Sequence, residues 1–129
     1  MKVNRSIIYA IQALLVITRR KGSRPVSSPR LAEAHGIPQR VLVRILKQLV
    51  RAGLLRSALG QSGGYSVARP AEDISLLDII EAVDGPILIP EPRADGRSLD
   101  PRLTSVCAKV KQAVRGPLQK VRLADLASK

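Results

Sequence analysis

The sequence contains no tryptophan and no phenylalanine, and Tyr9 and Tyr65 are its only tyrosines. A core without large rings must be built from Leu, Ile, Val and Ala, a composition that suits packed helices. The same lack counts against RNA-binding folds that stack bases on aromatic side chains. Cysteine is almost missing too. The lone Cys107 excludes a disulfide within the chain and any metal site built from several thiolates of one chain. No stretch approaches 18 uninterrupted apolar residues, so no segment is expected to span a membrane. Acids are missing from one part of the chain. Residues 1–70 hold thirteen Lys and Arg against a single acid, Glu33, whereas residues 71–129 hold nine against nine. The entire net charge of +12 therefore sits in the first half. Basicity that served solubility alone would not be segregated; a polyanion-binding module joined to a neutral partner-binding module would be.

What is present fits one small domain with a short appended element. The chain has 129 residues, 45% of them apolar, enough to form a core. The apolar run from Ile7 to Ile17 is broken by Gln12 and ends in Arg19-Arg20-Lys21 without a small-residue cleavage site. It reads as a buried amphipathic helix rather than a signal peptide, and a cytoplasmic location is expected.

Helical spacing of Ile7, Ile11, Leu14, Leu15 and Thr18 predicts a first helix from about Ser6 to Arg20. Ser28-Pro29 reads as the start of a second, with Ser28 as N-cap and Pro29 as first helical residue, and Gly36 stops it. A third helix is expected from near Pro38 to Gly53. Val41, Leu42, Ile45, Leu46, Leu49 and Val50 form its buried stripe. Arg40, Arg44, Lys47 and Arg51 form a continuous cationic stripe on a helix that contains no acid. Leu54–Ala58 and Tyr65–Ala68 are strand candidates around a tip with three glycines. Ser75 and Asp78 are spaced as a capping box for a fourth helix reaching Val83, and Gly85-Pro86 ends it. Residues 86–102 read as a Pro-rich loop. The last helix begins near Leu103, and Gly116-Pro117 is expected to kink or break it before a short apolar piece, Val121–Leu126.

Two short helices joined at Gly36-Ile37, the second one basic, and a glycine-rich hairpin make a winged helix-turn-helix. In such a module the N-terminal part of the second helix faces base edges in the major groove. Arg pairs with guanine, Gln with adenine, and Val touches the thymine methyl. Arg40 and Arg44 are the first candidates for base contact, followed by Gln39 and Val43. Lys47 and Arg51 lie further along and suit phosphate, which positions without specifying. Ser28 and Arg5 are further phosphate candidates. Gln61, Ser62, Gly63, Gly64 and Tyr65 form the candidate wing contact.

The chain resembles the Rrf2 family of bacterial transcription regulators. The resemblance rests on Leu31-Ala32-Glu33, Gly36-Ile37, Ala52-Gly53-Leu54-Leu55-Arg56-Ser57, Ile74-Ser75-Leu76 and Val121–Leu126. Its most specific part is Gly63-Gly64-Tyr65 followed by Ala68-Arg69-Pro70. The resemblance implies a mainly α fold with a small β-hairpin wing: a DNA-binding module over residues 1–85, a loop over 86–102, and a dimerisation helix with a C-terminal segment over 103–129. It further implies a homodimer, here through Leu103, Val106, Val110, Ala113 and Val114, bound to a pseudo-palindromic operator on double-stranded DNA, most often as a repressor.

Departures from the family are equally specific. Many members hold an iron–sulfur cluster on three cysteines in the loop before the long helix, and residues 86–102 contain none. No metal or cofactor is expected. Cys107 lies within the predicted helix and reads as a buried, inert thiol, and His35 at a helix end is only a distant ligand candidate. Leu59 stands where relatives often carry Arg before the wing glycine, which weakens minor-groove readout. Loop 86–102 is the place to look for an effector, whether a small molecule or a protein. A sequence-tolerant nucleic-acid binder, architectural or RNA-directed, is the alternative. An enzyme is not expected: Asp78, Glu81 and Asp84 read as a cap and a solvated face, and nucleophile–base geometry lacks residues to build it.

Overall fold

A computed structural model describes residues 4–20, 24–60, 63–87 and 100–127. Helix α1 (Arg5–Arg19) begins where the Asn4 side chain accepts a hydrogen bond from the Ile7 amide, 3.1 Å. Its buried face is Ile7, Ala10, Ala13, Leu14 and Ile17. Helix α2 (Ser28–His35) ends at Gly36, whose φ of 62° and ψ of 29° reverse the chain in the left-handed region. Glycine reaches that region without the Cβ penalty of other residues. Helix α3 (Gln39–Arg51) follows, with Leu42, Ile45, Leu46 and Leu49 buried and Val41 and Val50 half-buried at the stripe's edge.

Strands β1 (Leu55–Ala58) and β2 (Gly64–Val67) pair antiparallel, with Leu55 opposite Val67 and Ala58 opposite Gly64. A single bridge adds a third line to this ribbon. The Val26 and Tyr65 backbones donate to each other, both at 2.9 Å. After a 3-10 turn at Ala71–Asp73, helix α4 (Leu76–Asp84) starts with the expected box. The Ser75 hydroxyl accepts from the Asp78 amide, and the Asp78 carboxylate accepts from the Ser75 amide, each at 3.0 Å.

Helix α5 spans Pro101–Lys120. Of the kink or break expected at Gly116-Pro117, the break does not occur: the helix runs through Pro117. The proline withholds one amide from the helix ladder, and a loss of one bond this near the C-terminus leaves the last turn standing. Val121 then leads into α6 (Leu123–Ala127). The Val121 carbonyl accepts from the Leu76 amide, and the Leu123 amide donates to the Ile74 carbonyl, both at 2.8 Å. These bonds return the C-terminus to the first module, and Leu123 joins the same core as α1, α2 and α3. Each fully buried Leu or Ile there contributes about 1.5–3 kcal/mol.

Glu81 joins three parts of the fold. Its Oε2 accepts from the Ile87 amide and from Arg115 Nη1 of α5, each at 3.0 Å. In contrast to every other long helix, α5 has no buried residue. Among the described residues, no helix is long and apolar enough to cross a membrane.

Candidate nucleic-acid interface

The candidate surface is assembled by α3. Its apolar stripe is pinned on the core, which turns Arg40, Arg44, Lys47 and Arg51 outward; all four are exposed. They line, with Val43 and Gln48, an open groove of about 380 Å³. None of the three ion pairs among the described residues involves α3. The only acid in the first seventy residues is Glu33, and among the described residues no carboxylate pairs with these cations. Val43 is half-buried between them and offers the methyl surface that thymine requires. Gln48 was not singled out by the sequence pattern. It sits on this groove while its Nε2 donates to the Val83 carbonyl, 3.2 Å, fastening α3 to the end of α4. A polar residue one helical turn after Arg44 was the available signal.

At the start of the helix the arrangement differs from expectation. Pro38 is the N-cap rather than the first helical residue and provides no side-chain cap. Ser28 is not the N-cap of α2; that position is Ser27, which also makes no side-chain cap bond. Ser28 is the first residue of α2, and its Oγ accepts a hydrogen bond from Gln39 Nε2 at 3.3 Å. Two candidate contact residues from different helices thus meet directly.

The wing is shaped by backbone closeness. A Cβ on Gly64 would lie 2.5 Å from the Val26 carbonyl oxygen, and its φ is +146°. A side chain on Gly63 would run into the Ala58 carbonyl. Both glycines are therefore needed to fold the ribbon. Tyr65 is half-buried and packs against the core, while its backbone holds Val26. Leu59 is fully exposed next to Gly60. Gln61 and Ser62 lie outside the described residues. Arg5 is exposed at the start of α1, remote in sequence from this surface.

The acids of the second half have structural partners. Asp78 completes the α4 box and faces Arg69 at 3.7 Å. Glu81 pairs with Arg115 at 3.0 Å, and Asp84 Oδ1 accepts from Asn4 Nδ2 at 3.4 Å.

On α5, Leu103, Val106 and Val110 are 50%, 55% and 46% exposed. Ala113 is exposed and Val114 half-buried. Cys107 is half-exposed rather than buried, on a helix that has no buried residue.

Comparisons with known proteins agree with this geometry. The Rrf2 family, described as iron-dependent transcriptional regulator, matches residues 3–129. A provisionally named HTH-type transcriptional regulator of Mycobacterium tuberculosis is 32% identical over 131 residues, covering 98% of this chain and 81% of the relative. The HTH-type transcriptional regulator CymR of Bacillus subtilis is 27% identical, covering 99% of this chain and 91% of the relative. Its solved structure, titled as the global cysteine regulator of B. subtilis, superposes with a TM-score of 0.77 at 25% identity, covering 98% and 96% of the two chains. The structure of T. potens IscR gives 0.73 at 30% identity, covering 98% and 85%.

The residues of this chain do not fit the iron–sulfur cluster that many relatives carry. Such a cluster is held mainly by cysteine thiolates, and each chain has one, on α5. Among the described residues no three His, Cys, Asp or Glu side chains gather as a metal site, and segment 88–99 contains no cysteine.

Proposed function

This chain belongs to the Rrf2 family of DNA-binding transcriptional regulators, and from that premise we propose that it binds a pseudo-palindromic operator as a homodimer and represses transcription without an iron–sulfur cluster. The reading is carried by one observation: the outward face of α3 is a row of four exposed cations with no acid opposing them. Arg40, Arg44, Gln39 and Val43 read base edges. Lys47 and Arg51 meet phosphate and fix register.

Residues 1–85 serve as the DNA-binding module, and the exposed apolar row on α5 pairs with its copy in a second chain. A two-fold protein then requires a two-fold operator, with half-sites spaced by whole turns of the duplex. An effector, a small molecule or a protein, acts through residues 86–102, which join α4 to α5. That position lets a bound group bias the angle between the reading helix and the pairing helix.

The test is selection of bound fragments from sheared genomic DNA by the purified chain at low and near-physiological salt. A pseudo-palindromic sequence that survives the higher salt is the expected result, and genes beside it point to the effector. Broad recovery that vanishes with salt would instead mark sequence-tolerant binding dominated by counterion release.

A further inference from the structure

We infer that Ser28 is a positioning residue for specificity: it holds the Gln39 carboxamide in the orientation that reads adenine and rejects guanine. The inference rests on the DNA-binding reading above and deepens it. It reassigns Ser28 from phosphate contact to support of a base reader.

The geometry begins with a rigid platform. Val26 is bonded in both directions to the backbone of Tyr65 at 2.9 Å. The Ser27 carbonyl accepts from Leu31 at 3.1 Å, closing the first turn of α2. Ser28 stands between these anchors and is half-buried. Gln39 is the first residue of α3, where Pro38 fixes the incoming backbone at φ −57°. The backbone of Gln39 is therefore set, and its exposed side chain retains only rotation. The bond from Nε2 to Ser28 Oγ, 3.3 Å, removes that freedom.

The chemistry of the carboxamide then determines the base. A carboxamide has one acceptor oxygen and two N–H donors. Ser28 occupies one N–H, leaving Oε1 and the second N–H side by side. In the major groove adenine presents the N6 donor beside the N7 acceptor, which matches this pair. Guanine presents two acceptors, O6 and N7, so that one faces Oε1. Turning the NH2 group toward guanine breaks the Nε2–Oγ bond and requires the Ser28 hydroxyl to turn over and donate to Oε1 instead; the arrangement in the structure is the one that reads adenine. Holding the side chain before DNA arrives also lowers the ordering cost of the contact.

The test is selection from a random duplex pool by the full chain as wild type, Gln39→Ala, Ser28→Ala and Ser28→Thr. Titrations then follow on the recovered site with adenine or guanine at each purine position. The expected result is one adenine per half-site whose preference over guanine falls about tenfold in Gln39→Ala. The preference falls by a similar factor in Ser28→Ala and persists in Ser28→Thr, which retains the hydroxyl. Preferences at the other positions stay as in wild type. If Ser28→Ala weakens all sequences alike and leaves the adenine preference intact, Ser28 meets phosphate and the inference is overturned. Unchanged discrimination in Ser28→Ala, or a site with no adenine dependent on Gln39, overturns it while the operator reading stands. Recovery of no site by the wild type overturns both.

Discussion

In the first seventy residues, cations outnumber acids thirteen to one, and among those described the large aliphatic side chains are buried or half-buried apart from Ile8 and Leu59. In the rest of the chain, charges balance, and Leu103, Val106, Val110 and Leu126 stand in solvent. The three ion pairs among the described residues all draw their carboxylates from this second half: Asp78, Asp100 and Glu81. The two halves thus leave different groups unsatisfied. An unpaired cation in water is well solvated and costs the fold little, but it attracts a polyanion over about a Debye length. An exposed aliphatic row costs about 25 cal/mol for each Å² left in water, so it gains by covering itself. In the function proposed above, the first half meets DNA and the second half is the one that gains stability from a partner.

The largest effect comes from removing that gain. Val106→Asp together with Val110→Asp places two carboxylates where the aliphatic row was. Both positions are exposed, so the core of the single chain is untouched. The expected outcome is a monomer by sedimentation, with operator affinity lower by about 10²–10⁴ as the second half-site ceases to be an intramolecular event. Affinity for a duplex carrying one half-site stays as it was. A dimer persisting in this variant would move the pairing surface off α5.

On the other half a smaller effect separates two kinds of cation. Arg44→Ala is expected to cost about 1–3 kcal/mol on the operator and to relax preference at one base pair. Lys47→Ala is expected to weaken operator and random duplex alike and to lower the salt slope by about one. Both side chains are exposed and outside every ion pair named above, so thermal midpoints stay close to wild type. Equal losses on specific and random DNA in both variants would show that Arg44 reads no base.

Much of residues 1–85 was legible in the sequence because the signals there are local. The i, i+4 rhythm of α3, Gly36 as a stop and the Ser75–Asp78 box each involve residues within a turn or two of one another, and the structure has all three. Exposure of the four cations followed directly, since the opposite stripe had to be buried. The signals that failed were those decided by distant partners. Ser28 looked like a cap because Ser-Pro starts helices; its hydroxyl instead meets Gln39, eleven residues away. The need for glycine at 63 and 64 was likewise out of view, because it comes from the Ala58 and Val26 backbones. Pro117 was weighed as a break from its own chemistry alone, without its place in the last turn of a long helix. Cys107 was given a core position from periodicity, which identifies an apolar face without saying whether the same chain covers it.

The smallest effect concerns how α5 starts, and it tests whether the neutral half depends on its charges at all. Asp100 is the N-cap of α5: Oδ1 accepts from the Arg102 amide at 2.9 Å and from Arg102 Nε at 3.3 Å, and Oδ2 accepts from Nη2 at 3.0 Å. The Arg102 side chain, and after it the Arg102 amide, holds the Asp100 carboxyl below its ordinary value. A carboxyl depressed in the folded chain favours folding above its unfolded value, and the contribution is lost as pH falls through the folded value. The first turn of α5 is therefore expected to loosen only in acid, below the ordinary carboxylate range. The group is exposed to water and salt, so the change stays local. Amide exchange at Leu103 and Thr104, whose N–H groups donate to the Asp100 carbonyl, followed against pH should accelerate at the acid end. Asp100→Asn keeps a capping oxygen but has no proton to gain, and its exchange profile should lose that acid limb. An unchanged acid limb in Asp100→Asn would assign the loosening to another group. Its disappearance would show that the helix bearing the exposed aliphatic row is held at its start by one charged cap, so that self-association should weaken from Leu103 inward as that cap is protonated.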